Sequence, residues 1–90
     1  MLTETLDIIN KRGLHARAAA KLATLANRFK AKVQVRVGEG AWADAKSVMS
    51  LMLLAASCGT VLEISSEGDD AEAALHAIRA LVADRFEEGE

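Results

Sequence analysis

Apolar and polar residues alternate from Met1 to Ile9, with Leu2, Leu6 and Ile8 on one face and Thr3, Thr5 and Asp7 on the other. A period of two predicts a strand with one side buried. After Gly13 the period changes. Ala18, Leu22, Leu25 and Phe29 stand 4, 3 and 4 apart, which predicts a helix over about residues 16–28. Lys32 to Val37 alternates again, Val33, Val35 and Val37 inward, Gln34 and Arg36 outward. Gly38-Glu39-Gly40 offers a turn with two positions free to take positive φ, and Ala41 to Ala43 returns as a short strand, so the segment reads as a hairpin. Ser47 suits an N-cap for a second helix over about 47–56, which Ser57-Cys58-Gly59-Thr60 ends, Gly59 serving as its C-terminal residue. Thr60 to Ser65 is a strand with Leu62 and Ile64 on one face, and Gly68 makes a turn. Asp69 and Glu72 have the spacing of a capping box. Ala71, Ala74, Leu75, Ile78, Leu81 and Val82 then mark the core face of a helix reaching about Arg85, and Glu87 to Glu90 is expected as a frayed tail. The order β-α-β-β-α-β-α describes an α+β two-layer domain spanning residues 1–90.

The second helix does not fit a simple amphipathic pattern. Val48, Met49, Leu51, Met52, Leu53 and Leu54 are more apolar groups than one stripe can bury. Such a helix is either fully enclosed or keeps a face for a partner. In so small a domain the second is preferred, with Met49 and Met52 as its exposed members. Composition narrows the class. Hydrophobic residues make up 51% of the 90, enough for one core, but aromatics only 3%, so aliphatic side chains and alanine must build it. Cys58 is the single cysteine, which excludes an intrachain disulfide and reads as a small buried or half-buried hydrophobe. No basic stretch followed by an apolar core opens the chain, and the longest apolar run, Leu51 to Ala56, is far below a membrane span. A soluble cytoplasmic protein is expected. The net charge of −2 is divided unevenly: residues 1–46 hold nine of the eleven basic groups and four of the thirteen acidic ones, residues 47–90 the rest. The basic half favours an anionic donor or an acidic partner. No aromatic residues are interleaved with the basic ones to stack bases, which argues against nucleic acid.

Within that basic half lies Gly13-Leu14-His15-Ala16-Arg17, a glycine turn that delivers a histidine to a helix N-terminus. Backbone N–H groups there lack intrahelical partners and attract anions. A neutral imidazole is a nucleophile, and the Arg17 guanidinium offers a planar fork for phosphate oxygens. The residues therefore suit a phosphoryl group taken onto His15 and held there. A histidine at a helix start also serves as a plain cap or surface residue, and the spacing alone does not choose between these readings.

Gly13-Leu14-His15-Ala16-Arg17-Ala18-Ala19, followed some thirty residues later by Ala45-Lys46-Ser47-Val48-Met49, closely resembles HPr, the family of histidine-containing phosphocarriers of the bacterial phosphoenolpyruvate-dependent phosphotransferase system. The resemblance covers essentially the whole chain. It implies an open-faced sandwich, a four-stranded antiparallel sheet with three helices on one face. It also implies that His15 takes a phosphoryl group on Nδ1 from enzyme I and passes it to an enzyme IIA-type protein, in sugar uptake or in nitrogen-type regulation. The amides of Ala16 and Arg17 and the Arg17 guanidinium would stabilise the group, and Val48 would join Met49 and Met52 in the docking patch. The protein would then be a stoichiometric carrier acting as a monomer, not an independent enzyme, with no cofactor and no metal ligand cluster. Two positions depart from the family pattern. Ala18 stands where proline is common, which restores an N–H and loosens the helix start. Arg12 stands where a smaller polar residue is common, and either adds to the positive field or points to water.

Ser47 has a structural use as the N-cap. By resemblance it also matches the serine that a bifunctional HPr kinase/phosphorylase modifies in many bacteria, where a phosphate would add negative charge to the docking face. A regulatory binding protein whose docking Ser47 switches is the competing function. His76 reads as a solvated helix residue and Trp42 as packing at the sheet edge.

Overall fold

The structure, a computed structural model, describes residues 1–87. Its elements are β1 (Leu2–Asp7), α1 (Ala16–Ala26), β2 (Lys32–Val37), β3 (Ala43–Asp44), α2 (Val48–Leu53), β4 (Val61–Glu67) and α3 (Ala71–Ala83), closed by a short turn, Arg85–Glu87. The four strands form one antiparallel sheet in the order β1-β4-β2-β3, with the three helices over one face. The expected open-faced sandwich is therefore the fold.

Register follows the alternation. Val35 faces Ile64 and Val37 faces Leu62 across β2–β4, and Leu6 faces Leu62 across β1–β4, so the apolar set lies on the helix side. The intervening positions form the open face, where Arg36 is opposite Glu63 and its Nε donates to the carboxylate at 2.7 Å. The helix side is lined by Ala18, Ala19, Leu22, Ala23 and Ala26 of α1, all buried, while Leu25 and Phe29 are only partly so. Alanines let α1 pack closely against α2 and α3, which a count of large residues does not reveal. Phe86 is fully buried although Arg85, Phe86 and Glu87 all take left-handed φ, at 53°, 54° and 65°. Burying a side chain of that size is worth about 2–3 kcal/mol, which offsets part of the cost of the left-handed backbone that delivers it.

Several boundaries differ from the sequence reading. Leu2 is 41% exposed at the free end of an edge strand, while Ile8, beyond the end of β1, is buried. β3 is Ala43–Asp44, since the pairing of Gln34 with Asp44 and of Val35 with Ala43 sets its position. β4 runs from Val61 to Glu67. α2 ends at Leu53 instead of Ala56, because Ala55 turns left-handed at φ 53°; Gly59, at φ 93°, belongs to the next turn. Cys58 in that turn is exposed, so it is not a core hydrophobe. The capping box at Asp69 and Glu72 is replaced by a different use of acid. Asp70 is the N-cap position of α3 and makes no side-chain bond to the helix. Its carboxylate accepts from the amides of Lys30 at 2.8 Å and Ala31 at 2.7 Å, tying the α1–β2 loop to the start of α3. Beside it Gly68, at φ 136°, would bring a Cβ to 3.0 Å from Ala31 Cα. α3 stops at Ala83, and of the expected tail Glu87 lies in the closing turn while residues 88–90 fall outside the described residues.

Hydrogen bonds from Lys30 and Ala31 hold the Asp70 carboxyl below the ordinary aspartate range. Its stabilisation is therefore complete above the unfolded value near 3.8 and is lost as pH falls through the lower folded value. Asp70→Asn is expected to be less stable than the parent at neutral pH, the gap closing below pH ~4, as chemical denaturation across pH will show. Ala55→Gly is expected to raise stability by about 0.5–1 kcal/mol by removing the left-handed strain of an L residue, measured in the same way.

Candidate functional site

The approach to α1 is built on Asn10, which is buried. Its Nδ2 donates to the Gly13 carbonyl at 2.7 Å and its own carbonyl accepts from the Gly13 amide at 3.1 Å, closing a tight turn over Lys11 and Arg12, both exposed. Gly13 takes φ 68°, and a Cβ placed on it would stand 2.5 Å from the Ala56 carbonyl oxygen and 2.6 Å from Ser57 Cα. Only glycine fits that contact. The buried Leu14 follows, its amide donating to the Ala56 carbonyl at 2.7 Å, so the segment is fastened to the loop after α2.

His15 comes next, held on both sides. Its amide donates to the Gly13 carbonyl at 3.0 Å, and its carbonyl accepts from Ala19 at 2.8 Å as the first turn of the helix. With φ −81° and ψ −178° it is the N-cap residue of α1, and Nδ1 accepts from the Arg17 amide at 3.3 Å. In a neutral imidazole, a ring nitrogen that accepts a hydrogen bond carries its lone pair there and leaves the ring proton to the other nitrogen. The imidazole is half-buried, while Ala16 and Arg17 are exposed. Arg17 continues along α1 into a shallow groove shared with Lys21, Leu25 and Arg28, across from Glu87. Lys21 Nζ donates to the Phe86 carbonyl at 2.9 Å and pairs with Glu87 at 3.3 Å. Three of the basic residues of the first half, Arg17, Lys21 and Arg28, thus line one groove that starts two residues from the histidine.

The structure brings His15, Ala16 and Arg17 together and places Ser47 elsewhere. α1 and α2 pack side by side in opposite directions. Ala56, after α2, bonds Leu14 before α1, and Asn27, after α1, donates Nδ2 to the carbonyl of Lys46 at 3.1 Å before α2. His15 and Ser47 therefore lie at opposite ends of the pair, roughly 16 Å apart along an eleven-residue helix. Ser47 caps α2, its Oγ accepting from the Ser50 amide at 3.2 Å. Between the two ends Val48, Met49, Met52 and Leu53 are exposed, Met49 by 71% and Leu53 by 80%. Leu53 is the member the sequence reading missed, since an all-apolar helix carries no phase to single it out. Among the described residues no group of three or more His, Cys, Asp or Glu is arranged to hold a metal ion. His76 is exposed in a separate groove beside Leu2, Glu4 and Arg79, at the end of β1 away from His15. Trp42 is half-buried under the Arg36 guanidinium, 4.4 Å from its ring centre. No helix among the described residues is long and apolar enough to cross a membrane.

This arrangement suits taking up a compact anion at a ring nitrogen. The family model for the phosphorylation site of the phosphotransferase-system HPr component matches residues 2–84. The phosphocarrier protein HPr of Cupriavidus necator is 47% identical over 90 residues, all of both chains. The phosphocarrier protein NPr of Shewanella violacea is 46% identical over 87 residues, 97% of this chain and 94% of that one. Among solved structures, HPr from Thermoanaerobacter tengcongensis superposes with a TM-score of 0.92 at 40% identity, covering 98% of each chain. The chain belongs to the HPr family of phosphotransferase-system phosphocarriers.

Proposed function

We propose that His15 is the phosphoryl acceptor, reacting through Nδ1 with the phosphohistidine of enzyme I and then donating the group to a histidine of an enzyme IIA-type protein. The observation that carries this reading is the hydrogen bond from the Arg17 amide to His15 Nδ1. It marks Nδ1 as the nitrogen with an available electron pair, and it marks the Arg17 N–H as a donor already aimed at that position. When the Nδ1–P bond forms and the donor's N–P bond breaks, the lone pair is consumed. The Arg17 amide then exchanges Nδ1 for a phosphoryl oxygen, beside the amide of Ala16 and within the field of the Arg17 guanidinium. No proton need leave Nδ1. Imidazole-to-imidazole transfer is nearly isoenergetic, so a carrier needs positioning and charge stabilisation more than acid or base catalysis. The protein acts as a monomeric carrier that turns over only with its partners.

Val48, Met49, Met52 and Leu53, exposed along α2 between the Ser47 end and the His15 end of the helix pair, form the docking surface, and flexible methionines let one surface seat two different proteins in turn. Ser47 stands at its far margin, and a phosphate there would set about two negative charges against acidic partners. Relatives named HPr and NPr match almost equally well, at 47% and 46% identity. The acceptor IIA protein is what separates a role in sugar uptake from nitrogen-type regulation.

Phosphoenolpyruvate and enzyme I are expected to add one acid-labile phosphoryl group to the protein and none to His15→Ala, read by intact mass. A folded parent chain that stays unmodified would sink the carrier reading. Met49→Glu and Ser47→Asp are each expected to raise the apparent KM for phospho-enzyme I by about tenfold, with the rate at saturation unchanged. Steady-state transfer kinetics check this, and an unaltered KM for both would remove α2 from the docking surface.

A further inference from the structure

The loop after α2 is closed by one side chain. Thr60 Oγ1 accepts from the Ser57 amide at 3.1 Å and stands 3.4 Å from Ser57 Oγ. The Thr60 amide donates back to the Ser57 carbonyl at 3.0 Å, and the Thr60 carbonyl accepts from Ile8 at 2.9 Å, so the residue is anchored to the end of β1. The Ser57 N–H belongs to the same planar trans peptide as the Ala56 carbonyl, and the two point in opposite directions. One end of this peptide is held by the Thr60 hydroxyl. The other accepts from the Leu14 amide at 2.7 Å. Gly13 lies against the same peptide with no space for a Cβ. A rotation of the Ala56–Ser57 peptide would move the acceptor for Leu14, and His15 is the next residue along.

We propose that Thr60 is a positioning residue for phosphoryl transfer. Its hydroxyl orients the Ala56–Ser57 peptide, that peptide places Leu14, and Leu14 sets the imidazole against the first-turn amides. The inference rests on the reading of His15 as the phosphoryl acceptor. It extends the site to a residue 45 positions away that does not touch the transferred group.

Thr60→Val keeps the β-branched shape and removes the acceptor, and Thr60→Ser keeps the hydroxyl. Phosphoryl uptake from phospho-enzyme I is measured for the parent and both variants over a range of carrier concentrations. Thr60→Val is expected to lower the rate at saturation by about tenfold with KM unchanged, and Thr60→Ser to stay within about twofold of the parent. NMR of the unphosphorylated proteins is expected to show the His15 ring and Leu14 amide signals shifted in Thr60→Val and the His76 ring signals unmoved, the latter reporting an intact fold. A parent-like rate in Thr60→Val, a loss carried by KM, or a Thr60→Ser variant as slow as Thr60→Val would each overturn the proposal. If the parent itself takes up no phosphoryl group, the reading of His15 falls. If the parent is phosphorylated and Thr60→Val matches it, only the role of Thr60 falls.

Discussion

The contact between Gly13 and the Ala56–Ser57 peptide is the constraint on which the site depends. Two backbones meet there at a distance that admits hydrogen and nothing larger. The sheet creates the meeting. Antiparallel pairing of β1 with β4 carries on past Asp7–Val61 as Ile8 donates to the Thr60 carbonyl and Gly59 donates to the Ile8 carbonyl. The chain leaving β1 and the chain entering β4 are therefore brought alongside each other. From that junction Leu14 goes into the core, and the following residue emerges at the surface as the N-cap of α1. The histidine is half-buried because a buried leucine precedes it and an exposed helix start follows.

Charge is arranged on a longer scale than this contact. The acidic second half is partly used to hold the fold together. Asp70 takes the amides of Lys30 and Ala31, and Glu63 takes Arg36. On the first half's side, the Glu4 carboxyl is held low by Arg79, which donates to it from α3. Fixed in this way, these groups lie on the sheet and at the loops behind α1. Arg17, Lys21 and Arg28 line one groove along and just past α1, with Glu87 opposite. An acidic partner approaching α1 meets a positive groove that starts two residues from the histidine.

What was legible in the sequence follows from which forces are local. Alternation at Val33, Val35, Leu62 and Ile64 located the sheet, because side-chain period is a local property and burial of one face enforces it. Gly13-Leu14-His15-Ala16-Arg17 located the site, because a glycine turn running into a helix is also local. The errors cluster where distant partners decide. α2 was read too long because the apolar run continues to Ala56, while its actual end is an alanine in left-handed geometry that no residue type announces. Asp69 and Glu72 were read as a cap because the spacing is right. The neighbouring Asp70 was instead drawn to two amides about forty residues away in sequence. Leu53 and Cys58 were misjudged because exposure within an apolar segment depends on what packs beside it. The Asn10 turn and the Ala56 clamp, which hold His15, are backbone contacts across the fold and leave only Gly13 as a sequence trace.

A phosphocarrier meets two proteins in succession and must present one nitrogen to both in the same geometry. Those demands pull in opposite directions, since adaptable docking favours loose side chains and transfer favours a fixed ring. This fold divides them between the two ends of α2. Along its length Met49, Met52 and Leu53 offer flexible apolar contact. Past its C-terminus the approach to the histidine is fastened by hydrogen bonds of Asn10, Gly13 and Leu14 and by a contact at Gly13 without slack. Side chains exposed along α2 can change rotamer without shifting the imidazole, which is fastened beyond the helix's end. The left-handed turn at Ala55 separates the two regimes, ending the adaptable helix one residue before the peptide that holds the site.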